Sequence, residues 1–86
     1  MKRKMRNVHP GAILKMELVE GRKLRVSKIA KLLNTTRSNM YNIINGHASI
    51  TPNMALRLET VFSGSGDFFM RLQATYDLEE AKKSSV

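Results

Sequence analysis

Apolar residues recur at helical spacing in five stretches of the chain, with polar punctuation between them. The sharpest pattern runs from Val26 to Gly46. Ile29, Ala30 and Leu33 form one stripe, Asn34-Thr35-Thr36 interrupts it, and Met40, Ile43 and Ile44 resume it. Asn34 is a residue that tolerates the left-handed backbone needed just past a helix end. Thr36 can cap the next helix by accepting a backbone N–H. Ala30 is small enough to let two helices cross closely. The pattern predicts two short helices joined by a tight turn, a helix-turn-helix whose second helix enters a DNA major groove.

Helices of the same kind flank this motif. His9-Pro10-Gly11 opens the first, because Pro suits the first helical position, and His9 reads as a structural residue before it. Ile13, Leu14 and Leu18 make its stripe, with Met16 or Val19 completing it, and Gly21 ends it. Arg22-Lys23-Leu24-Arg25 is a basic connection anchored by Leu24. After a loop from His47 to Ile50, Thr51 caps a fourth helix that has Pro52 at its start. Ala55, Leu58, Val61 and Phe62 are its expected core stripe, with Arg57 and Glu59 outward. Ser63 to Gly66 breaks the pattern. Ser65 can cap the last helix and Asp67 complements its dipole. That helix carries Phe68, Phe69, Met70, Leu72, Tyr76 and Leu78, and Glu79 to Val86 reads as a polar tail. No strand pattern interrupts the series, so the fold expected is all-α, a five-helix DNA-binding domain over residues 9–83 behind a basic arm at 1–8.

At about 100° per residue, Met40, Ile43 and Ile44 fall on one side of the second motif helix. Ser38, Asn42 and Asn45, with Tyr41 beside them, fall on the other, and Arg37 and Asn39 sit on the flanks. A merely solvated face would carry Lys, Glu and Gln. Here no acid occurs between Arg22 and Arg57, and Asn39, Asn42 and Asn45 crowd into a helix that Asn does not favour. Short amide and hydroxyl groups suit base edges and phosphates. The expected DNA-binding set is Lys28, Lys31, Thr36, Arg37, Ser38, Asn39, Tyr41, Asn42 and Asn45. For Lys28 and Lys31, plain solubility is the alternative reading.

Charge sharpens this picture. The net charge of the 86 residues is +8, and it is lopsided. Residues 1–37 hold eleven Lys or Arg against Glu17 and Glu20, whereas residues 38–86 hold four against five acids. The motif half is built to face phosphate, and the C-terminal half is free for protein contacts. Lys2, Arg3, Lys4 and Arg6 make the leading segment either a frayed terminus or an arm that reaches DNA backbone. There is no Cys, which excludes disulfides and thiolate metal sites. His9 and His47 are too far apart for a local metal motif. No phosphate-cradling Gly loop and no paired carboxylates suggest catalysis, and no cofactor is called for. No segment is long and apolar enough to span a bilayer, so a cytoplasmic location is expected.

Several short runs resemble the HigA-type antitoxins of the Xre, or lambda-repressor-like, helix-turn-helix superfamily. They are His9-Pro10-Gly11, Ala30-Lys31-Leu32-Leu33, Ile44-Asn45-Gly46, Ser49-Ile50-Thr51-Pro52, Met54-Ala55-Leu56-Arg57-Leu58-Glu59, Leu72-Gln73-Ala74 and Tyr76-Asp77-Leu78. The resemblance covers His9 to about Ala81. It implies a homodimer that binds a palindromic operator in its own promoter, and a toxin partner, an mRNA-cleaving ribonuclease of RelE-like type. The chain departs from the family where Arg25 and Lys28 stand in place of Ser and an acid, where Asn34 replaces the turn Gly, and where Phe69 replaces an aromatic that is often Trp. A stand-alone phage-type repressor without a toxin, or a protein-binding module that keeps the motif only as scaffold, are the competing readings.

The dimer surface expected is the last helix with the end of the fourth. Phe68, Phe69, Leu72 and Tyr76 can form one stripe there, with Leu78 and Met70 displaced from it. For Phe69 and Leu72, a place in the monomer core is the alternative.

Overall fold

The structure is a computed structural model, and it describes residues 7–64 and 66–84. Among them are five helices and no strand. The first, α1, is α-helical over Pro10–Leu14 and continues with π winding over Lys15–Gly21. Then follow α2 (Val26–Leu32), α3 (Arg37–Ile44), α4 (Pro52–Phe62) and α5 (Gly66–Ser84). The basic arm expected over residues 1–8 lies outside the described residues except for Asn7 and Val8. The cap expected from Ser65 also lies outside them.

The stripes predicted for the motif all close on one core. Ile29, Ala30, Leu33, Met40, Ile43 and Ile44 are buried together with Leu14, Leu18, Ile50, Met54, Ala55, Leu58 and Phe69. Asn34 takes the left-handed conformation at φ 55°. The Thr36 and Thr51 hydroxyls accept from the backbone N–H groups of Asn39 and Met54, as capping requires.

Elsewhere the structure corrects the pattern. Val19 rather than Met16 completes the α1 stripe, because Met16, two residues from both Leu14 and Leu18, lies on the far side of the helix and is 55% exposed. In α4, Met54 in the first turn is buried and Val61 in the last is exposed. After α1 the left-handed residue is Lys23 (φ 59°) and not Gly21. The supposed polar tail is helical as far as Ser84. Its residues are good helix formers, and Glu79–Lys82 and Glu80–Lys83 pair one turn apart.

The opening His9-Pro10-Gly11 docks α1 onto two other helices. Gly11 packs against the backbone of α3: a Cβ there would overlap the Ile43 carbonyl. His9 caps α1, its Nδ1 accepting from the Gly11 N–H at 2.9 Å. The same ring meets the Tyr76 ring of α5 edge-on at 4.7 Å and bonds to the backbone of Ala48. Beneath it, buried Gln73 accepts from the Ile50 N–H at 2.7 Å and donates to Asp77 at 3.0 Å. The family runs at both ends of the chain therefore meet in one polar seam, and every buried side-chain polar atom among the described residues has a partner.

Desolvation lowers the His9 pKa from the ordinary 6.5, against a raising effect from Asp77 and the Ala48 bond. Nδ1 can accept only while unprotonated, so the folded state favours neutral His9. The unfolded chain binds this proton more readily, so stability is whole above about pH 6.5 and falls as the pH drops below it. Urea midpoints taken at pH 7.5 and 5.5 are expected to fall on acidification in the wild type, and to fall less in His9→Asn. The close approach of α1 to α3 makes a second prediction. Gly11→Ala should destabilise at the upper end of the ~1–3 kcal/mol range for overpacking, despite the ~1 kcal/mol that Ala ordinarily gains in a helix. Thermal unfolding followed by circular dichroism, with a midpoint lower by roughly 10 °C or more, checks it.

Candidate nucleic-acid interface

The inner side of α3 is fixed by Met40, Ile43 and Ile44, which are buried. That leaves Ser38, Tyr41, Asn42 and Asn45 outward at positions i, i+3, i+4 and i+7, one row along the helix. All four are exposed, and the Tyr41 ring, 47% accessible, is the largest group in the row. Thr36 and Arg37 are exposed at the helix start, where Thr36 Oγ1 accepts from the Asn39 N–H at 3.0 Å. On α2, Lys28 and Lys31 are exposed. Lys28, Lys31 and Arg37 take part in no ion pair among the described residues, so their charge is available to an anion.

Asn39 differs from the rest of the expected DNA-binding set. It is half-buried, and its Nδ2 donates to Thr35 Oγ1 at 2.8 Å. The bond ties the first turn of α3 to the preceding turn, and it takes one of the two amide protons that base reading would use. Periodicity does not single out Thr35. Its spacing of four residues from Asn39 is nonetheless a legible signal, since such pairs face each other when the first stands just before a helix.

A second residue that sequence reasoning misses is Arg57 of α4. It faces outward as expected, but its Nη1 donates to the carbonyls of Leu33 at 3.2 Å and Asn34 at 3.3 Å. These close the end of α2, where carbonyls lack helical partners. Arg25, the residue before α2, makes no side-chain cap, which agrees with the lost capping box.

The expected dimer residues fall within an arc of about 100° on α5 but differ in burial. Phe69 is only 7% exposed and belongs to the chain's own core. Tyr76 is half-buried against His9. With Gln73 and Glu80 they mark the inward direction of α5. At about 100° per residue, Phe68 and Leu72 lie to one side of that direction. Phe68 is 48% exposed and stands edge-on to Phe69, while Leu72 is half-buried. Leu78 projects opposite to the core and is exposed. No helix among the described residues is long and apolar enough to cross a membrane.

Known proteins of this shape carry the same motif. A solved antidote protein of a HigA family from Coxiella burnetii is 40% identical, with a TM-score of 0.88, over 94% of this chain and 88% of that one. The antitoxin HigA of Pseudomonas aeruginosa, solved with the higBA promoter, is 30% identical with a TM-score of 0.87, over 92% and 86% of the two chains. YbaQ of Escherichia coli K12, described as an uncharacterised HTH-type transcriptional regulator, is 37% identical over 75 residues, 87% of this chain. The chain spans 66% of the length of that curated relative. No protein-family model matches the chain.

The different surroundings of Asn39 and Asn42 make a paired prediction. Asn42→Ala should leave thermal stability within about 0.5 kcal/mol, as exposed substitutions do. It should erode discrimination between DNA sequences by roughly 1–3 kcal/mol per lost base contact. Asn39→Ala should do the reverse, losing about 1 kcal/mol of stability with its hydrogen bond and little discrimination. Melting curves and competition binding with scrambled duplexes separate the two.

Proposed function

The chain belongs to the HigA family of helix-turn-helix proteins, and from that premise we propose that it is a sequence-specific DNA-binding antitoxin that represses its own operon. The observation that carries the reading is the outward row of α3, Ser38, Tyr41, Asn42 and Asn45, framed by the exposed cations Lys28, Lys31 and Arg37, which form no ion pair among the described residues. The row has the size and chemistry of a major-groove reader, and Lys28 and Lys31 lie on the first motif helix, which crosses the phosphate backbone in such motifs. Ser38, Tyr41, Asn42 and Asn45 read base edges. Thr36 and Arg37 meet phosphate or the first base, and Asn39 orders the helix start. The Pseudomonas aeruginosa relative solved with the higBA promoter supports DNA binding by this chain.

One such module buries too little surface for tight operator binding, so the active form is a two-fold homodimer on a palindromic operator, its half-sites about one helical turn, roughly 34 Å, apart. The dimer contact is the side of α5 that carries Phe68 and Leu72, continued by the end of α4. The protein partner is an mRNA-cleaving ribonuclease of RelE-like type, neutralised by binding rather than by catalysis, and the module acts in the cytoplasm. A stand-alone repressor is the second reading, favoured by the relative described only as a transcriptional regulator. Arrest of mRNA cleavage by a ribonuclease encoded beside this gene decides between the two.

Fluorescence anisotropy with the duplex upstream of its own gene tests the reading. Wild type should prefer that duplex to a scrambled one, and log affinity should fall linearly with log salt concentration. Lys28→Gln with Lys31→Gln should reduce the slope by about 0.9 for each phosphate contact removed. Phe68→Glu should sediment as a folded monomer with weakened binding. Equal affinity of the wild type for both duplexes, or an unaltered salt slope in the double variant, would count against the interface.

A further inference from the structure

We infer that Arg57 is a positioning residue that sets the angle between the DNA-reading helices and the helices that carry the dimer contact. The inference rests on the operator-binding dimer proposed above. Backbone packing divides the molecule. The helices α2 and α3 pack on each other, α4 and α5 pack on each other, and α1 touches both α3 and α5. One unit carries the groove face and the other carries Phe68. Their relative orientation, repeated by a two-fold axis, fixes how far apart two recognition helices stand.

Beyond the shared apolar core, three directional ties cross between the units among the described residues. Gly11 of α1 presses on the Ile43 carbonyl, while His9, which caps the same helix, meets Tyr76 of α5. Gln73 of α5 holds the Ile50 N–H in the loop that leaves α3. Both ties act near the C-terminal end of α3. Arg57 acts at the other end, holding the carbonyls of Leu33 and Asn34 where α2 turns toward α3. A helix held at one end can pivot, and a tie at the far end removes the pivot.

The guanidinium is suited to this task. Asn34 stands in the left-handed conformation, which turns the chain and ends α2. One nitrogen of Arg57 then meets the carbonyls of two successive residues, so its grip follows the direction of the turn as well as its position. An ammonium on a flexible four-carbon stem lacks the fixed planar N–H geometry of the guanidinium. Arg57 is itself exposed, so the fold does not rest on burying it, and its removal should change geometry more than stability.

The test uses full-length Arg57→Ala and Arg57→Lys beside wild type. Palindromic duplexes carry the half-sites selected by the wild type from a random library, with the spacer at its selected length and one and two base pairs longer or shorter. Wild type should prefer the selected spacer tenfold or more. Arg57→Ala should bind each half-site sequence as selectively as before, but its spacer preference should fall below threefold, and Arg57→Lys should lie between. Sedimentation should show the dimer intact. The slope of log affinity against log salt should be unchanged, since a phosphate contact would lower it by about 0.9 per contact. Residual dipolar couplings on the free protein should show the α2–α3 unit reoriented against α4–α5 in Arg57→Ala. An unchanged spacer preference, unchanged couplings or a reduced salt slope would overturn the inference. A wild type that fails to bind DNA or to dimerise would instead defeat the proposed function, and the couplings would still report whether Arg57 sets the angle.

Discussion

The close approach of α1 to α3 governs the rest of the molecule. At Gly11 the backbone of α1 lies so near the Ile43 carbonyl that a single methyl group would overlap it. Interiors are packed too densely to absorb such an overlap without moving an element. Because Gly11 is held by the His9 cap, and His9 in turn stands against Tyr76 of α5 and the Ala48 backbone, the position of α3 is decided jointly by both ends of the chain. The outward row of α3 is thus displayed on a helix fixed by packing rather than by its own short length; eight residues would scarcely hold a helical form alone in water.

The polar seam and the apolar core divide the work. The stripes of α2, α3 and α4 supply the burial that drives collapse. They say little about the angle at which helices cross. The directional contacts carry that information: Gln73 to Ile50 and Asp77, Asn39 to Thr35, Arg57 to the end of α2. Such directional contacts, of which only Gln73 is buried, select one arrangement among those the core would tolerate.

Much of this architecture is legible in the amino-acid sequence alone. The turn at Asn34, the caps at Thr36 and Thr51 and the buried stripe of the motif follow from local chemistry, and each is present. The outward row of α3 follows from helical periodicity with a composition too poor in Lys and Glu for plain solvent. What escapes is long-range or degenerate. Arg57 meets residues more than twenty positions earlier in the chain, and nothing local announces such a partner. In α5, apolar side chains point in several directions, so periodicity alone places Phe69 and Tyr76 on a partner-facing stripe, whereas they pack against the chain's own core and His9. The helical course of Glu79 to Ser84 escapes because a polar face and a polar tail read alike.

The central claim is that the α3 row meets DNA while the Phe68 side of α5 meets another copy of the chain. The most direct measurement is the backbone amide spectrum of the protein titrated with its own upstream duplex at a concentration where it is already dimeric. The largest shifts should fall on residues 36–45 and around Lys28 and Lys31, with the amides near Phe68 and Leu72 scarcely moved. Shifts concentrated on α5, or spread evenly over the surface with none distinctive in α3, would contradict the account.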